Sequence, residues 1–425
     1  MDLLRGWRQR LASGLVRNSA YLIATEVVAG GLGFAFWIVA ARFFADSEIG
    51  VGAALISSAT LLAILSTLGF NISLVRFLPE HTAPVARLIN SSVTIGSAVA
   101  VVLAAGFGLA AGAWVPALGL LTANPGLLAL FVFFTVVWTI SLLFDAAFIG
   151  LGQARFVLLR AAIYNAMKVP LPVALAYILV SPFALFSAWG LGLLVANAVA
   201  AVFLFGAVVP AYRLRPELDR KAVGSMVRFS FANHATNVLG AVPGLVFPLL
   251  VSNVLGPADV AYFYIAWVLA NLLFIIPGSI FTSVLAEGSR WRPGLRGNAL
   301  DGLFLSFAIL LPCVAVAFVA GGWLLEAIKP SFAAGIPLLN VLVASSFFVA
   351  MNALYSAVRR VEKRMRPVVG LYAGTTFAAL ILGWPLLVTS RDIVGAGLAF
   401  AIAQGGGAAY AVWSLFREGA FRRGL

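Results

Sequence analysis

The sequence has few charged residues, two histidines and a single cysteine, and each shortage excludes a class of protein. Only 10% of its 425 residues are charged, whereas an ordinary soluble domain has roughly 25%, so a water-soluble fold is excluded. One cysteine cannot form an intrachain disulfide, and with two histidines it offers no metal-ligand cluster or Cys/His nucleophile. The sequence also lacks a GxxxxGK[ST] motif, so the chain does not hydrolyse ATP through a P-loop.

Apolar residues make up 62% of the chain and fall in long runs between clustered charges. Runs of about 20 to 26 residues are long enough to cross the hydrocarbon core of a bilayer as helices. The sequence therefore predicts an all-α integral membrane protein of about twelve transmembrane helices. The predicted spans lie near residues 19–44, 48–70, 89–113, 127–151, 158–180, 187–211, 229–254, 259–285, 300–325, 336–358, 367–389 and 392–415.

Basic residues are distributed unequally between alternate loops. If the N-terminus is inside, 24 of the 28 lysines and arginines fall in inner segments, three in outer segments and one inside a span. The net charge of +13 therefore follows the positive-inside rule and does not indicate nucleic acid. This pattern predicts that both termini are cytoplasmic, and residues 3–13 are expected to form a short amphipathic helix on the membrane surface.

The two halves of the chain resemble each other. At a shift of 211 residues, VRNSAYLIATEVVAGGLGF from Val16 aligns with VRFSFANHATNVLGAVPGL from Val227. Six spans per half keep both repeats in one orientation, which is typical of a transporter with its path between the halves. Chance similarity of two apolar stretches is the alternative. The predicted organisation is an N-lobe at 1–211, a cytoplasmic linker at 212–228 and a C-lobe at 229–425 that ends in a short basic tail.

Three ionisable side chains, Glu26, Asp145 and Lys168, fall inside predicted spans of the first half. A charge at the centre of a bilayer costs at least about 2.5 kcal/mol, so these side chains are expected to face a cavity or a partner. By helical rise, Glu26 and Asp145 both lie roughly 10 Å from the cytoplasmic side, with Lys168 somewhat deeper, which allows mutual contact.

These three residues have two interpretations. In the first they form a site for a coupling cation or for substrate, and in the second Asp145 and Lys168 form an ion pair that only fixes helix packing. The repeat-equivalent of Glu26 is Asn237, so the second half keeps polarity there without the charge. Pro170 and Pro172 are predicted to interrupt backbone hydrogen bonding directly after Lys168.

Basic residues at inner helix ends form a second candidate set. Guanidinium groups suit forked contacts with phosphate oxygens, so a ring of them is predicted at the cytoplasmic mouth between the halves. The alternative is that each arginine only determines topology near lipid headgroups. The set comprises Arg76, Arg87, Arg290, Arg292 and Arg296.

Several segments are similar to a known family. ARFF…SEIG after the first span, LG…VRFLPE after the second, and DAAFIGLGQARFVLLRAAIYNAMKVPL across spans four and five resemble polysaccharide-export flippases of the multidrug/oligosaccharidyl-lipid/polysaccharide (MOP) superfamily. The resemblance implies a MATE-like fold of two pseudo-two-fold six-helix lobes. It implies an alternating-access flippase, not an enzyme, that moves a polyprenyl-pyrophosphate-linked oligosaccharide to the outer leaflet for cell-surface polysaccharide synthesis.

The resemblance also implies partners and a location. It places the protein in a bacterial or archaeal plasma (inner) membrane as a monomer, in contact with membrane lipids, the lipid-linked substrate and polysaccharide-assembly enzymes, without nucleic acid or a bound cofactor. In related multidrug exporters an acidic residue on the first span belongs to a cation site. Glu26 occupies the matching place, with Asn165 as a polar partner, which implies coupling to H⁺ or Na⁺.

Two other functions stay open. One is a cation-coupled multidrug or small-molecule antiporter of the same fold. The other is a membrane glycan polymerase, ligase or acyltransferase, which needs a catalytic acid, base or nucleophile near the lipid-sugar headgroup. The short and nearly uncharged outer loops favour transport over such an enzyme.

Overall fold

The computed structural model describes residues 14–80, 84–176, 182–210, 212–290 and 295–417, and every regular element in these ranges is helical. The predicted surface helix at residues 3–13 and the basic tail lie outside them. A single helical turn, Leu120–Ala123, precedes α5. The helices are α1 (Gly14–Phe43), α2 (Asp46–Ser66), α3 (Phe70–Glu80), α4 (Val85–Trp114), α5 (Pro125–Gly150), α6 (Ala154–Lys168), α7 (Leu171–Ala176), α8 (Pro182–Val199), α9 (Arg220–Val254), α10 (Pro257–Arg290), α11 (Leu295–Ile328), α12 (Ile336–Val361), α13 (Met365–Ser390) and α14 (Val394–Arg417).

The helices form the spans of a multi-pass membrane protein. Within the described ranges, twelve segments are long and apolar enough to cross a bilayer, which confirms the predicted number. Large apolar side chains are left uncovered on their outer faces. On α11, for example, Phe304 is 78% exposed and Val319 is 86% exposed. Such faces suit hydrocarbon, where helices already satisfy their own backbone hydrogen bonds.

The described residues divide by their contacts into two units. The first unit takes the residues up to Phe44 and those of Ser58–His234, and the second takes Ala45–Ser57 and the residues from Ala235 onwards. The start of α2 thus belongs to the second unit, although the predicted lobes assign it to the first. In the first unit α1 packs on α6 and α4 on α5, and in the second α10 and α14 pack on α12.

Helix boundaries in the two halves keep one constant offset. Helices α10, α12 and α13 begin 211 residues after α2, α5 and α6 respectively, and α12 also ends 211 residues after α5. The shift that aligns the two sequences therefore also aligns the elements. Positions 211 residues apart are treated below as equivalent.

The SEIG stretch after the first span has a direct structural explanation. Glu48 accepts a hydrogen bond from the Ala45 backbone N–H, at 2.9 Å, and so caps the start of α2. Gly50 packs against the start of α10, where an added Cβ would lie 1.6 Å from the carbonyl oxygen of Pro257. Only glycine allows this close approach of two backbones.

The segment after the second span differs from its prediction. The span predicted to end at residue 70 ends four residues earlier, because Leu68 (φ 49°) and Gly69 (φ 81°) adopt left-handed backbone conformations that terminate α2. The following residues, assigned to an inner loop by the sequence pattern, form helix α3. Its Leu74 and Leu78 are buried, and its Arg76 is exposed. The segment is therefore an amphipathic helix.

The predicted linker at residues 212–228 consists of two different parts. Residues from Arg220 onwards already belong to α9, so only the part before it is irregular. That part is attached to the start of α4. Asn90 Nδ2 donates to the Arg213 carbonyl oxygen (3.0 Å), and Tyr212 Oη donates to Asn90 Oδ1 (3.1 Å). Burial raises the pKa of Tyr212, so its hydroxyl stays protonated as the donor.

Charge and backbone contacts complete this attachment. Arg87 Nε lies 3.1 Å from Glu217 Oε1, and the Glu217 backbone N–H donates to Thr94 Oγ1 at 3.1 Å. The Asp219 backbone N–H donates to Ser91 Oγ at 3.0 Å. The irregular part of the linker is therefore held against the first unit along two turns of α4.

We expect Asn90→Ala to speed tryptic cleavage after Arg213 about tenfold. The substitution removes two hydrogen bonds worth about 0.5–1.5 kcal/mol each, which raises the open population of the segment. The measurement is the rate of fragment appearance in detergent micelles. Ser97→Ala, two turns further along α4, is the control. Equal cleavage rates for Asn90→Ala and the unmodified protein would contradict the attachment.

Candidate functional site

Asp145 on α5 is paired with Arg160 on α6. The Arg160 side chain is 3% exposed, and its Nη1 contacts Asp145 Oδ1. Its Nη2 donates to Ser141 Oγ (2.8 Å) and to Asn197 Oδ1 (2.6 Å). Asp145 is therefore not the partner of Lys168, and that alternative is wrong. The assignment of Arg160 to an inner segment is also wrong, because α6 begins at Ala154 and Arg160 lies inside it.

Lys168 lies in a cage of aromatic rings. Its Nζ is 4.6 Å from the ring centroid of Trp189, 4.7 Å from that of Tyr164 and 5.6 Å from that of Phe36. The residue is 3% exposed, and among the described residues no carboxylate contacts it. Cation–π contacts of this kind attract an ammonium group most strongly where water is excluded. They leave its positive charge in place, without the neutralisation that an ion pair gives.

A second layer of side chains supports the cage. Trp138 stacks on Trp189, with ring centroids 5.2 Å apart. A Cβ built at Gly33 would lie 3.9 Å from Lys168 Nζ, so a larger residue there would crowd the ammonium group. The cage is thus made by α1, α6 and α8, with α5 behind it, and all four helices contribute to the first unit.

The predicted interruption after Lys168 is confirmed. Helix α6 ends at Lys168, and α7 begins at Leu171 between Pro170 and Pro172. Asn165 lies one turn before the break and is buried. Its Nδ2 donates to the Ala161 carbonyl oxygen (2.8 Å), while its Oδ1 accepts no hydrogen bond. Glu26 is not a hydrogen-bond partner of Asn165 in the described ranges.

Glu26 is exposed and lies near one end of its span. The apolar segment of α1 begins at Ala24, so Glu26 is about 3 Å inside it by helical rise, whereas Lys168 is roughly 20 Å inside the segment that begins at Ala154. The similar depths expected from the sequence are therefore not found. Glu26 and Gly33 share one face of α1, two turns apart, so the carboxylate faces the side of α1 on which Lys168 lies. Asn237, its equivalent on α9, is also exposed.

The predicted arginine set is divided between the two units. Arg76 stacks on Phe229, with its guanidinium carbon 4.4 Å from the ring centroid, and Arg87 pairs with the linker. Arg296 belongs to the second unit and lines an apolar groove with Leu300 and Phe416. The side chain of Arg290 and the whole of Arg292 lie outside the described residues. The ring at the mouth stays a prediction.

Arg160 is the site residue that the sequence pattern missed, although a signal for it was present. Arg160, Tyr164 and Lys168 are spaced four residues apart, which places them on one face of a helix. The arginine next to a predicted loop was counted as a topology determinant. Its spacing from Lys168 would have placed both cations on the face that meets α5 and α8.

Comparison with known proteins supports the fold. The family model of polysaccharide biosynthesis proteins matches residues 15–286, which is more than half of the chain. None of the curated proteins matches it.

The chain is also similar to solved structures. An inward-facing multidrug resistance MATE family transporter of the MOP superfamily has a TM-score of 0.74 and 14% identity, covering 94% of this chain and 99% of that one. An outward-facing one has a TM-score of 0.60 and 16% identity, covering 97% of both. A MOP superfamily transporter from Pyrococcus furiosus Vc1 (DSM3638) has a TM-score of 0.59 and 13% identity, covering 97% of this chain and 96% of that one. The chain therefore belongs to the polysaccharide biosynthesis protein family of the MOP superfamily, as a multi-pass membrane protein with the MATE fold.

Proposed function

We propose that the protein is an alternating-access flippase that moves a polyprenyl-pyrophosphate-linked oligosaccharide from the cytoplasmic to the outer leaflet of a plasma membrane. Membership of the polysaccharide biosynthesis family supports a role in cell-surface glycan assembly. The fold supports transport, because repeats of this kind place a substrate path through the bilayer. Both termini are cytoplasmic in this proposal, and Glu26 binds the coupling H⁺ or Na⁺.

One observation carries the choice of an anionic lipid-linked substrate. Lys168 is a deep, buried cation held by the rings of Trp189, Tyr164 and Phe36, without a carboxylate among its described contacts. Arg160, on the same helix, is by contrast neutralised by Asp145. An intramembrane charge without a protein counter-ion is expensive, and a pyrophosphate that reaches it supplies the missing anion.

Lys168→Gln is expected to slow translocation of a fluorescent undecaprenyl-pyrophosphate glycan at least tenfold in proteoliposomes. A hydrogen bond to a charged group contributes about 1.5–3 kcal/mol, which is a factor of ten or more in affinity. The measurement is quenching of the label that reaches the outer leaflet. Lys168→Arg should retain part of the activity, since it keeps the charge.

The matched control is Arg42→Gln, which removes an exposed cation from α1 in the same unit. It should leave the translocation rate unchanged. Equal rates for Lys168→Gln and Arg42→Gln would remove the reason for assigning the pyrophosphate to Lys168. No translocation by the unmodified protein, together with export of a cationic drug such as ethidium, would replace the flippase with the antiporter. Glycan transfer by the purified protein would replace it with an enzyme.

A further inference from the structure

The second unit contains a polar cavity without charged lining residues. Its volume is about 250 Å³, below the roughly 300–1,000 Å³ of drug-sized sites, so it takes one small group. Helices α9, α10, α12, α13 and α14 all contribute to its wall. The polar lining residues include Asn271, Asn352, Thr375, Thr376 and Gln404, and aromatic rings are supplied by Trp267, Tyr372 and Phe400.

One polar atom in this wall is buried and without a partner. Asn352 is 8% exposed, and its Nδ2 donates to both the backbone carbonyl oxygen and Oε1 of Gln404, at 3.1 and 2.7 Å. Its Oδ1 accepts no hydrogen bond. A buried carbonyl oxygen left unpaired costs about 1–3 kcal/mol. A hydroxyl donor that enters the cavity would remove this cost.

A second cavity adjoins the first and contains a cation. Its volume is about 230 Å³, and it shares Gly278, Ala353 and Tyr372 with the first cavity. Arg360 lines it. The guanidinium donates from Nη2 to Thr236 Oγ1 at 3.2 Å, whereas its Nε is buried without a partner. Among the described lining residues of both cavities there is no carboxylate, so the charge available to a ligand is positive.

The equivalent region of the first unit is filled. There the guanidinium of Arg160 and the rings of the Lys168 cage occupy the space, and Arg160 is satisfied by its own ion pair. The second unit has smaller or uncharged side chains at the same places and a cavity between them. The equivalent positions are Ser141 and Asn352, Arg160 and Leu371, Tyr164 and Thr375, and Trp189 and Phe400.

From this geometry we propose that the second unit binds an anionic saccharide, with one sugar ring in the amide-lined cavity and its negative group at Arg360. Amide side chains offer donors and acceptors together, as neutral hydroxyls require, and aromatic faces cover the apolar face of a sugar ring. The planar guanidinium suits either a phosphate or a carboxylate. The inference deepens the proposed function, since this saccharide would be part of the carried glycan, but its test requires no transport.

The test is binding of three soluble probes to the full chain in lipid nanodiscs, followed by saturation-transfer difference NMR. Glucose 1-phosphate, glucuronic acid and glucose share a ring and differ in the anionic group. We expect at least one anionic probe to bind about tenfold more tightly than glucose. A preference for glucose 1-phosphate identifies a phosphate as the ligand group, and a preference for glucuronic acid identifies a sugar carboxylate.

Two variants separate the parts of the site. Arg360→Gln should abolish the anion preference and leave glucose binding unchanged, whereas Arg366→Gln, an exposed arginine at the start of α13, should preserve that preference. Asn352→Leu should weaken binding of all three probes about tenfold in protein that elutes normally on size exclusion. Equal affinities for the three probes, no binding of any, or an anion preference that survives Arg360→Gln would overturn the proposal. Probe binding without transport would refute only the flippase.

Discussion

Replacing Glu26 by glutamine is expected to abolish gradient-driven transport while leaving the protein folded. Glu26 is exposed and forms no hydrogen bond or ion pair with the residues that the structure describes, so its loss removes no described contact. A carboxylate can exchange H⁺ or Na⁺ during a transport cycle, whereas the isosteric amide cannot. The measurement is translocation of a labelled lipid-linked glycan into proteoliposomes under an imposed pH or Na⁺ gradient.

Glu326→Gln is the matched control, because Glu326 is an exposed carboxylate in the last turn of α11 in the second unit. It should leave transport unchanged. The ion that drives the unmodified protein identifies the coupling cation. Undiminished gradient-driven transport by Glu26→Gln would show that this carboxylate has no coupling role. A variant that aggregates on size exclusion would instead assign Glu26 a structural role.

The largest loss of stability is expected for Asp145→Ala. Arg160 is 3% exposed, and removal of its counter-ion leaves a buried guanidinium uncompensated, which costs about 3–5 kcal/mol. The measurement is the free energy of unfolding from an SDS titration in mixed micelles. Asp301→Ala, which removes an exposed carboxylate from α11, should change it by less than about 0.5 kcal/mol.

A double variant tests whether the ion pair itself is responsible. Asp145→Ala with Arg160→Met removes both charges and keeps an apolar side chain of similar length on α6. We expect it to recover most of the lost stability, since replacing a buried pair by apolar residues is often neutral or favourable. If the double variant is less stable than Asp145→Ala alone, the hydrogen bonds of Arg160 to Ser141 and Asn197 contribute more than its charge does.

Much of the fold could be predicted because membrane spans are long, apolar and bounded by charge. The twelve spans, the 211-residue repeat and the break before Pro170 all follow from local composition or from the missing N–H of proline. Span edges were less accurate where turn chemistry decided them. Leu68 adopts a left-handed conformation that nothing in its residue type predicts, and α2 therefore ends before the apolar run does.

The site was harder to predict because it depends on which helices meet. The sequence identifies Asp145 and Lys168 as intramembrane charges, but it cannot show that α5 presents Asp145 to Arg160 or that α8 places Trp189 over Lys168. The cavity in the second unit gave no signal at all. Its residues, such as Asn352 and Thr375, are common in transmembrane helices, and only their convergence from five helices makes them a wall.

The constant offset between the halves makes the chain its own set of controls. Because no insertion or deletion separates α5 and α6 from α12 and α13, each residue of one half has a defined counterpart in the other. Lys168 corresponds to Ala379 and Arg160 to Leu371, so charge was gained or lost there by substitution alone, within an unchanged backbone frame. Exchanging single residues between halves therefore asks what each charge does without altering the length of any helix.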